Sequence, residues 1–202
     1  MAKIKLTKTE LKKQRDALKQ FLRFLPTLQL KKQQLQMEMR KCQDLLRQNE
    51  EKERLLREKL SSWISLFGGG ESVTKISKLL TVSGVKRERR NIAGVDIPVF
   101  KSVDFNIVEY NLFSEEIWID DAVKAVMKVI ELKIEHKIIE EQYRLIENEL
   151  RVTTQRVNLF EKVKIPGCKE NIRVIQIYLG DMSTAAVGRS KIAKRKTQEA
   201  AA

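Results

Sequence analysis

The sequence predicts a mainly α protein: a long antiparallel two-helix left-handed coiled coil with a small α+β cap, a short helix and a β-hairpin, at its turn. Three features lead there: two sustained heptad tracks, an insert rich in Gly and β-branched residues between them, and basic residues gathered at both chain ends.

The first element is a shaft helix over residues 1–67. Alternating steps of three and four pass through Leu11, Gln14, Leu18, Phe21, Leu25, Leu28, Lys32, Leu35, Met39, Cys42, Leu46, Asn49, Glu53, Leu56, Leu60, Trp63 and Phe67. Thirteen of these seventeen positions are apolar, which makes a continuous seam, while Lys, Arg, Gln and Glu between them favour helix and keep the other faces wet. The polar seam positions Asn49 and Glu53 fix register at some cost in stability, or mark where a partner packs alongside.

The second element is a cap over residues 68–116. Gly68-Gly69-Gly70 stops the first helix, and no Lys-Ser or Lys-Thr follows it as a phosphate loop would require. A short helix is expected near Val73–Leu80, then two strands around an Ala93-Gly94 turn, in a stretch rich in Val, Ile and Phe. A cap this small cannot hold a large core by itself and should lean on the end of the coil.

The third element is a shaft helix over residues 117–202. Its track runs Trp118, Ala122, Ala125, Val129, Leu132, His136, Ile139, Tyr143, Ile146, Leu150, Thr153, Val157 and Phe160. Apolar repeats of seven force a left-handed supercoil, and the two tracks are natural antiparallel partners whose residue numbers sum to about 185. That rule places Leu25 near Phe160 and Trp63 near Ala122, with the two tryptophans closing the coil against the cap. Pro26 and Pro166 fall within helical pattern and should mark kinks. Beyond Pro166-Gly167 the pattern resumes with Ile172, Ile175, Leu179 and Met182 and fades towards Gly188, so the end of this helix should form a single-helix tip. A second apolar line, Ile138, Leu145, Val152 and Leu159, lies off the seam and has no use in a lone coil unless something covers it.

The net charge of +13 requires a compensating negative partner surface. Residues 1–41 hold twelve Lys or Arg against three acids, and Arg189, Lys191, Lys194, Arg195 and Lys196 face only Glu199 near the C-terminus. A nucleic-acid binder would need exposed aromatics or arginines along a groove, whereas the shaft offers chiefly lysine and keeps its aromatics on the seam. A basic coiled-coil structural adaptor or nucleic-acid-binding protein is the alternative function. Neither a nucleophile with its base nor paired carboxylates occur at telling spacing, so an enzyme is not expected. Cys42 and Cys168 lack neighbours at metal-ligand spacing, and the single His136 is expected as a packed or capped imidazole. No apolar stretch suits a bilayer span or a secretory signal, so the expectation is a cytoplasmic, unprocessed chain without cofactor or metal.

Three segments carry a family resemblance. Asn91-Ile92-Ala93-Gly94-Val95-Asp96-Ile97-Pro98-Val99-Phe100 lies between the helices. Thr154-Gln155-Arg156-Val157-Asn158-Leu159-Phe160-Glu161 leads to Ile165-Pro166, with Asn171-Ile172-Arg173 and Ile177 following. Lys5-Leu6-Thr7-Lys8 precedes Leu11. Together they resemble the family of D subunits of V-type and A-type rotary ATPases.

The resemblance implies a non-catalytic central-stalk rotor that couples ATP hydrolysis or synthesis in a hexamer of A and B subunits to ion transport through the membrane ring. Both termini would enter the hexamer, with Lys3, Lys5, Lys8, Arg189, Lys191, Lys194 and Arg195 as contacts. The F subunit would clasp the shaft along Ile138, Leu145, Val152 and Leu159. The cap, with Asn91, Ile92, Ala93, Gly94, Val95, Ile97, Pro98 and Phe100 in its hairpin, would key into the socket subunit, C or d. Membrane association would then come through the complex, with no direct insertion and no nucleic acid.

Overall fold

A computed structural model describes residues 4–61, 79–108, 110 and 118–200. Helix α1 spans Lys8–Ser61. Thr7 begins it with a capping arrangement: its hydroxyl accepts the Glu10 N–H at 3.2 Å and its carbonyl accepts the Leu11 N–H at 3.0 Å. Helical assignment continues unbroken through Pro26. A proline there removes one backbone donor, and the Thr27 hydroxyl donates to the Phe24 carbonyl at 2.8 Å on the same turn.

Strands β1 (Leu80–Ile92) and β2 (Val95–Ile107) form one antiparallel hairpin. Helix α2 (Ile119–Leu159) passes into a single π-helical turn, Phe160–Lys164, and then into α3, Ile165–Ala200. The fold class is therefore as the heptads predict: two long helical arms and a two-stranded hairpin. Of the expected short helix, Val73–Lys78 lie outside the described residues, as do Trp63, Phe67 and the triple glycine. Leu80, expected as that helix's last residue, instead opens β1, because its backbone pairs with Ile107.

The chain divides into two compact units, residues 33–151 and residues 1–32 with 152–202. In the first, Cys42 meets Gln142, Gln43 meets Tyr143 and Asn49 meets Glu135 by side-chain hydrogen bonds. Those pairs sum to 184, 186 and 184, the antiparallel register that the tracks require. On α1 the buried positions are Leu35, Cys42 and Asn49, spaced by sevens along the seam.

The hairpin is the small β cap, and it leans on the coil as expected. At its root Leu80 packs with Ile119 and Val123, supported by Phe105, Tyr110, Trp118 and Ile130. Its far end reaches a second cluster, where Ile97 is buried among Leu35, Cys42, Ile139 and Ile146, with Ile92, Ala93, Val95 and Tyr143 around them. The ribbon thus lies back along the helices. Lengths match: twelve strand steps span about 40 Å, as do the helical steps from Ile119 to Ile146. Heptad counting sees only helix on helix, so it misses why Ile119, Val123, Ile138 and Gln142 are buried although they lie off the seam. Where α2 starts, the Tyr110 hydroxyl donates to Asp120 at 2.6 Å and Lys124 lies 3.2 Å away. These hold the Asp120 carboxyl below the usual carboxylate range.

The hairpin turn is the two-residue Ala93-Gly94 link, with positive φ at both positions, 51° and 80°. This is the turn whose twist matches the strands, and Ala93 holds a left-handed conformation that costs an L-residue about 1–2 kcal/mol. Asn91 compensates: its Oδ1 accepts the Gly94 N–H at 3.0 Å and its Nδ2 donates to Asp96 at 2.6 Å. Ala93→Val, which puts a β-branched side chain at that φ, should cost about 2 kcal/mol in urea unfolding, whereas Ala93→Gly should be tolerated.

In the second unit, Phe21 and Phe160 rings lie 5.1 Å apart and Asn171 donates to Gln14 at 3.3 Å. Phe160 thus meets Phe21, one helical turn before the Leu25 that the simple rule names. Just before Pro166, where a kink is expected, the helix takes a single π turn. There the Ile165 N–H reaches back five residues to the Phe160 carbonyl. One extra residue is absorbed, so the packed line steps by five from Phe160 to Ile165 and continues through Cys168 and Ile175. Ile165, Cys168 and Ile175 are all buried.

Candidate functional site

The surfaces this fold offers to other molecules follow from what its own packing leaves uncovered. No described helix is long and apolar enough to cross a membrane, and the described residues hold no group of three His, Cys, Asp or Glu arranged to bind a metal ion. Cys42 and Cys168 are free and buried, and burial, with Glu38 beside Cys42, pushes the Cys42 thiol up.

Most of the hairpin tip is directed onto its own helices. Ile97 is buried, Ile92, Ala93, Val95, Pro98 and Phe100 are partly covered, and only Asn91 and Gly94 of the eight expected positions are exposed. The Gln142 side chain, 7% exposed, donates its amide to the Pro98 carbonyl and accepts from the Cys42 thiol at 3.9 Å. Gln142 is therefore a hinge pin between helix and ribbon. Gln142→Leu would leave the Pro98 carbonyl unsatisfied, so it should cost about 1–3 kcal/mol in urea unfolding and speed amide exchange in the hairpin.

A polar step interrupts the seam at Asn49. Its amide donates to Glu135 at 2.9 Å, while its own oxygen and the Nδ1 of His136, which the register places opposite, are buried without a hydrogen-bond partner. The Nε2 of His136 lies 3.7 Å from Glu140, one turn along the same helix, so the half-buried imidazole has its outer nitrogen at the rim of the seam. Such a step lowers stability and penalises slipped registers. Glu53 is answered locally by Arg57 at 2.6 Å.

The second apolar line of α2 is open in part. Ile138 has no exposed surface, so in this fold it offers nothing to a partner. Val152 is half-buried, while Leu145 and Leu159 are 37% and 42% exposed. Val163 in the π turn extends the open part.

Lys5, Lys8, Arg189, Lys191, Lys194 and Arg195 are all exposed, and Lys3 lies outside the described residues. Every residue from 181 to 200 is helical and exposed. Sequence reasoning registered the charge of this tail and carried its apolar pattern as far as Met182, but missed Val187 and Ile192; Ile177, Met182, Val187 and Ile192 are each about half exposed. They recur every five residues, and five residues turn a helix by about 140° beyond a full turn, so the four point to different sides. A helix that docks along one groove carries a single apolar stripe; this one presents apolar contacts all round.

The sequence matches the model of the ATP synthase D subunits over residues 10–195. Among curated proteins it is similar to a V-type ATP synthase D subunit of Borreliella burgdorferi, 47% identical, covering 96% of this chain and 95% of that one. It is also similar to proteins of the same description from Chlamydia muridarum, 34% identical over 98% of both chains, and Chlamydia trachomatis serovar L2, 33% identical over 98% of both.

Proposed function

The chain belongs to the family of ATP synthase D subunits and is a component of a V-type rotary ATPase, and from that premise we propose that it is the central-stalk rotor. It couples ATP hydrolysis or synthesis in a hexamer of A and B subunits to ion transport through the membrane ring, and contributes no chemistry itself. The observation that carries this reading is the tail: twenty consecutive exposed helical residues, basic and apolar on all sides. A helix of that kind suits a sleeve that surrounds it. Within a sleeve built of three repeats, an asymmetric axle makes the three catalytic interfaces inequivalent, since each meets a different side of it, and rotation passes the difference around the ring.

The remaining contacts follow the uncovered surfaces. Lys5, Lys8, Arg189, Lys191, Lys194 and Arg195 meet acidic linings of the hexamer, as does Lys3 in the same basic segment. The F subunit clasps the open line of Leu145, Val152 and Leu159. The socket subunit, C or d, receives the end that carries the hairpin root, and through these neighbours the chain is held at the membrane. Torque is carried by antiparallel seams whose register the Asn49 step guards.

Native mass spectrometry of the complex purified through a tag on this chain tests the reading. One copy with three A and three B subunits is expected. Several copies per complex, or a complex without the nucleotide-binding subunits, would overturn it.

A further inference from the structure

The outer strand of the hairpin carries a recognition surface that the rotor role leaves unused. Six consecutive residues of β1, Lys86 to Asn91, are exposed, although neighbours in a strand point to opposite faces. Both faces of this strand are therefore open, while β2 is partly or wholly covered from Ile97 to Phe100. Over this stretch the ribbon is covered chiefly on its β2 side.

Backbone pairing fixes what the free edge presents. Counting from the two-residue turn, Ile92 and Val95 form the first hydrogen-bonded pair, so Asn91–Asp96, Arg89–Pro98 and Arg87–Phe100, all before the first register shift, are pairs whose N–H and C=O groups point away from the partner strand. Proline fits such a position because it has no N–H to donate, and the Pro98 carbonyl is taken by Gln142. On the opposite edge, the outward groups of Arg87, Arg89 and Asn91 have no strand beside them among the described residues.

Charge selects what could pair there. Lys86, Arg87, Arg89 and Arg90 stand against the single acid Glu88. Lys86 is answered by Asp104 at 3.0 Å and Arg87 by Glu141 at 3.3 Å, while Arg89 and Arg90 have no acidic partner among the described residues. Like charges directly opposite repel a second copy of this strand, and opposite charges attract an acidic one. We infer that the free edge of β1, from Arg87 to Asn91, binds an extended acidic segment of another protein chain by strand addition, with carboxylates beside Arg87 and Arg89.

The test uses the full chain and a seven-residue peptide alternating Glu with Val and Thr. Binding should slow amide exchange at Arg87, Arg89 and Asn91 and weaken as salt rises. Arg89→Glu, an exposed change that should leave the circular dichroism spectrum intact, should weaken binding at least about tenfold. A peptide with Lys in place of Glu should not bind. A peptide N-methylated at alternate residues keeps its charge but loses its donors, and should lose the amide protection. Equal binding by the methylated peptide, or binding to anionic phospholipid vesicles that competes with the peptide and leaves those amides unprotected, would show a charge-only surface and overturn strand addition. Neither result bears on the stoichiometry that tests the rotor role.

Discussion

Ile146→Ala should lower the unfolding free energy by about 2–5 kcal/mol, the cost of the lost methylenes plus the cavity they leave. Ile146 has no exposed surface and sits where three elements meet, with Leu35 and Cys42 on α1 and Ile97 on the hairpin. Because domain stabilities are about 5–15 kcal/mol, the loss is a large share of the total. The same site anchors the ribbon tip, so amides at the tip should exchange faster than those of the hairpin root, which rests on the separate Leu80–Ile119–Val123 cluster. Urea unfolding with residue-resolved exchange checks both. A uniform rise in exchange along the whole hairpin would show that the two clusters are one cooperative unit.

Deleting residues 183–202 should have the opposite profile. All the described residues of that segment are exposed, so their removal takes away almost no buried area, and the melting curve of the remaining chain should be nearly unchanged. In the reconstituted ATPase, ATP-driven ion transport should fall to background while the shortened chain still co-purifies through its other contacts. Restoring the basic residues alone, with Val187 and Ile192 replaced by Ser, should recover less transport than the intact tail. Unfolding of the truncated chain would reject this division between coil and tail.

How far the sequence revealed this molecule depended on which physical signal each part leaves in it. The seam was legible because burial between two helices repeats every seven residues: Leu35, Cys42, Ile139 and Ile146 could be read directly, and so could the antiparallel register. The Ala93-Gly94 turn was legible from its residue types. The placement of the hairpin was not, because a ribbon lying on helices marks only one or two side chains per turn, and Gln142 reads as an ordinary polar helix residue until the Pro98 carbonyl is found beside it. The π turn left a trace, the five-residue gap between Phe160 and Ile165, which the proline next to it obscured. For the candidate contact surfaces, charge was visible and exposure was not. Ile138 belongs to the same heptad line as Leu145 and Leu159, yet only coordinates separate the covered position from the open ones. The run from Lys86 to Arg90 was visible too, but its meaning rests on which edge of the ribbon faces outward.

The π turn between Phe160 and Lys164 also acts as an angular index for everything that follows it. Wound as ordinary α-helix with every residue kept, the same segment would re-clock α3 by about 100° and carry Ile165, Cys168 and Ile175 off the packed side. Removing one residue there instead leaves a four-residue α step from Phe160, which keeps them on it. The azimuth at which the tail leaves its packed segment is thus written as a count of residues in one loop of backbone.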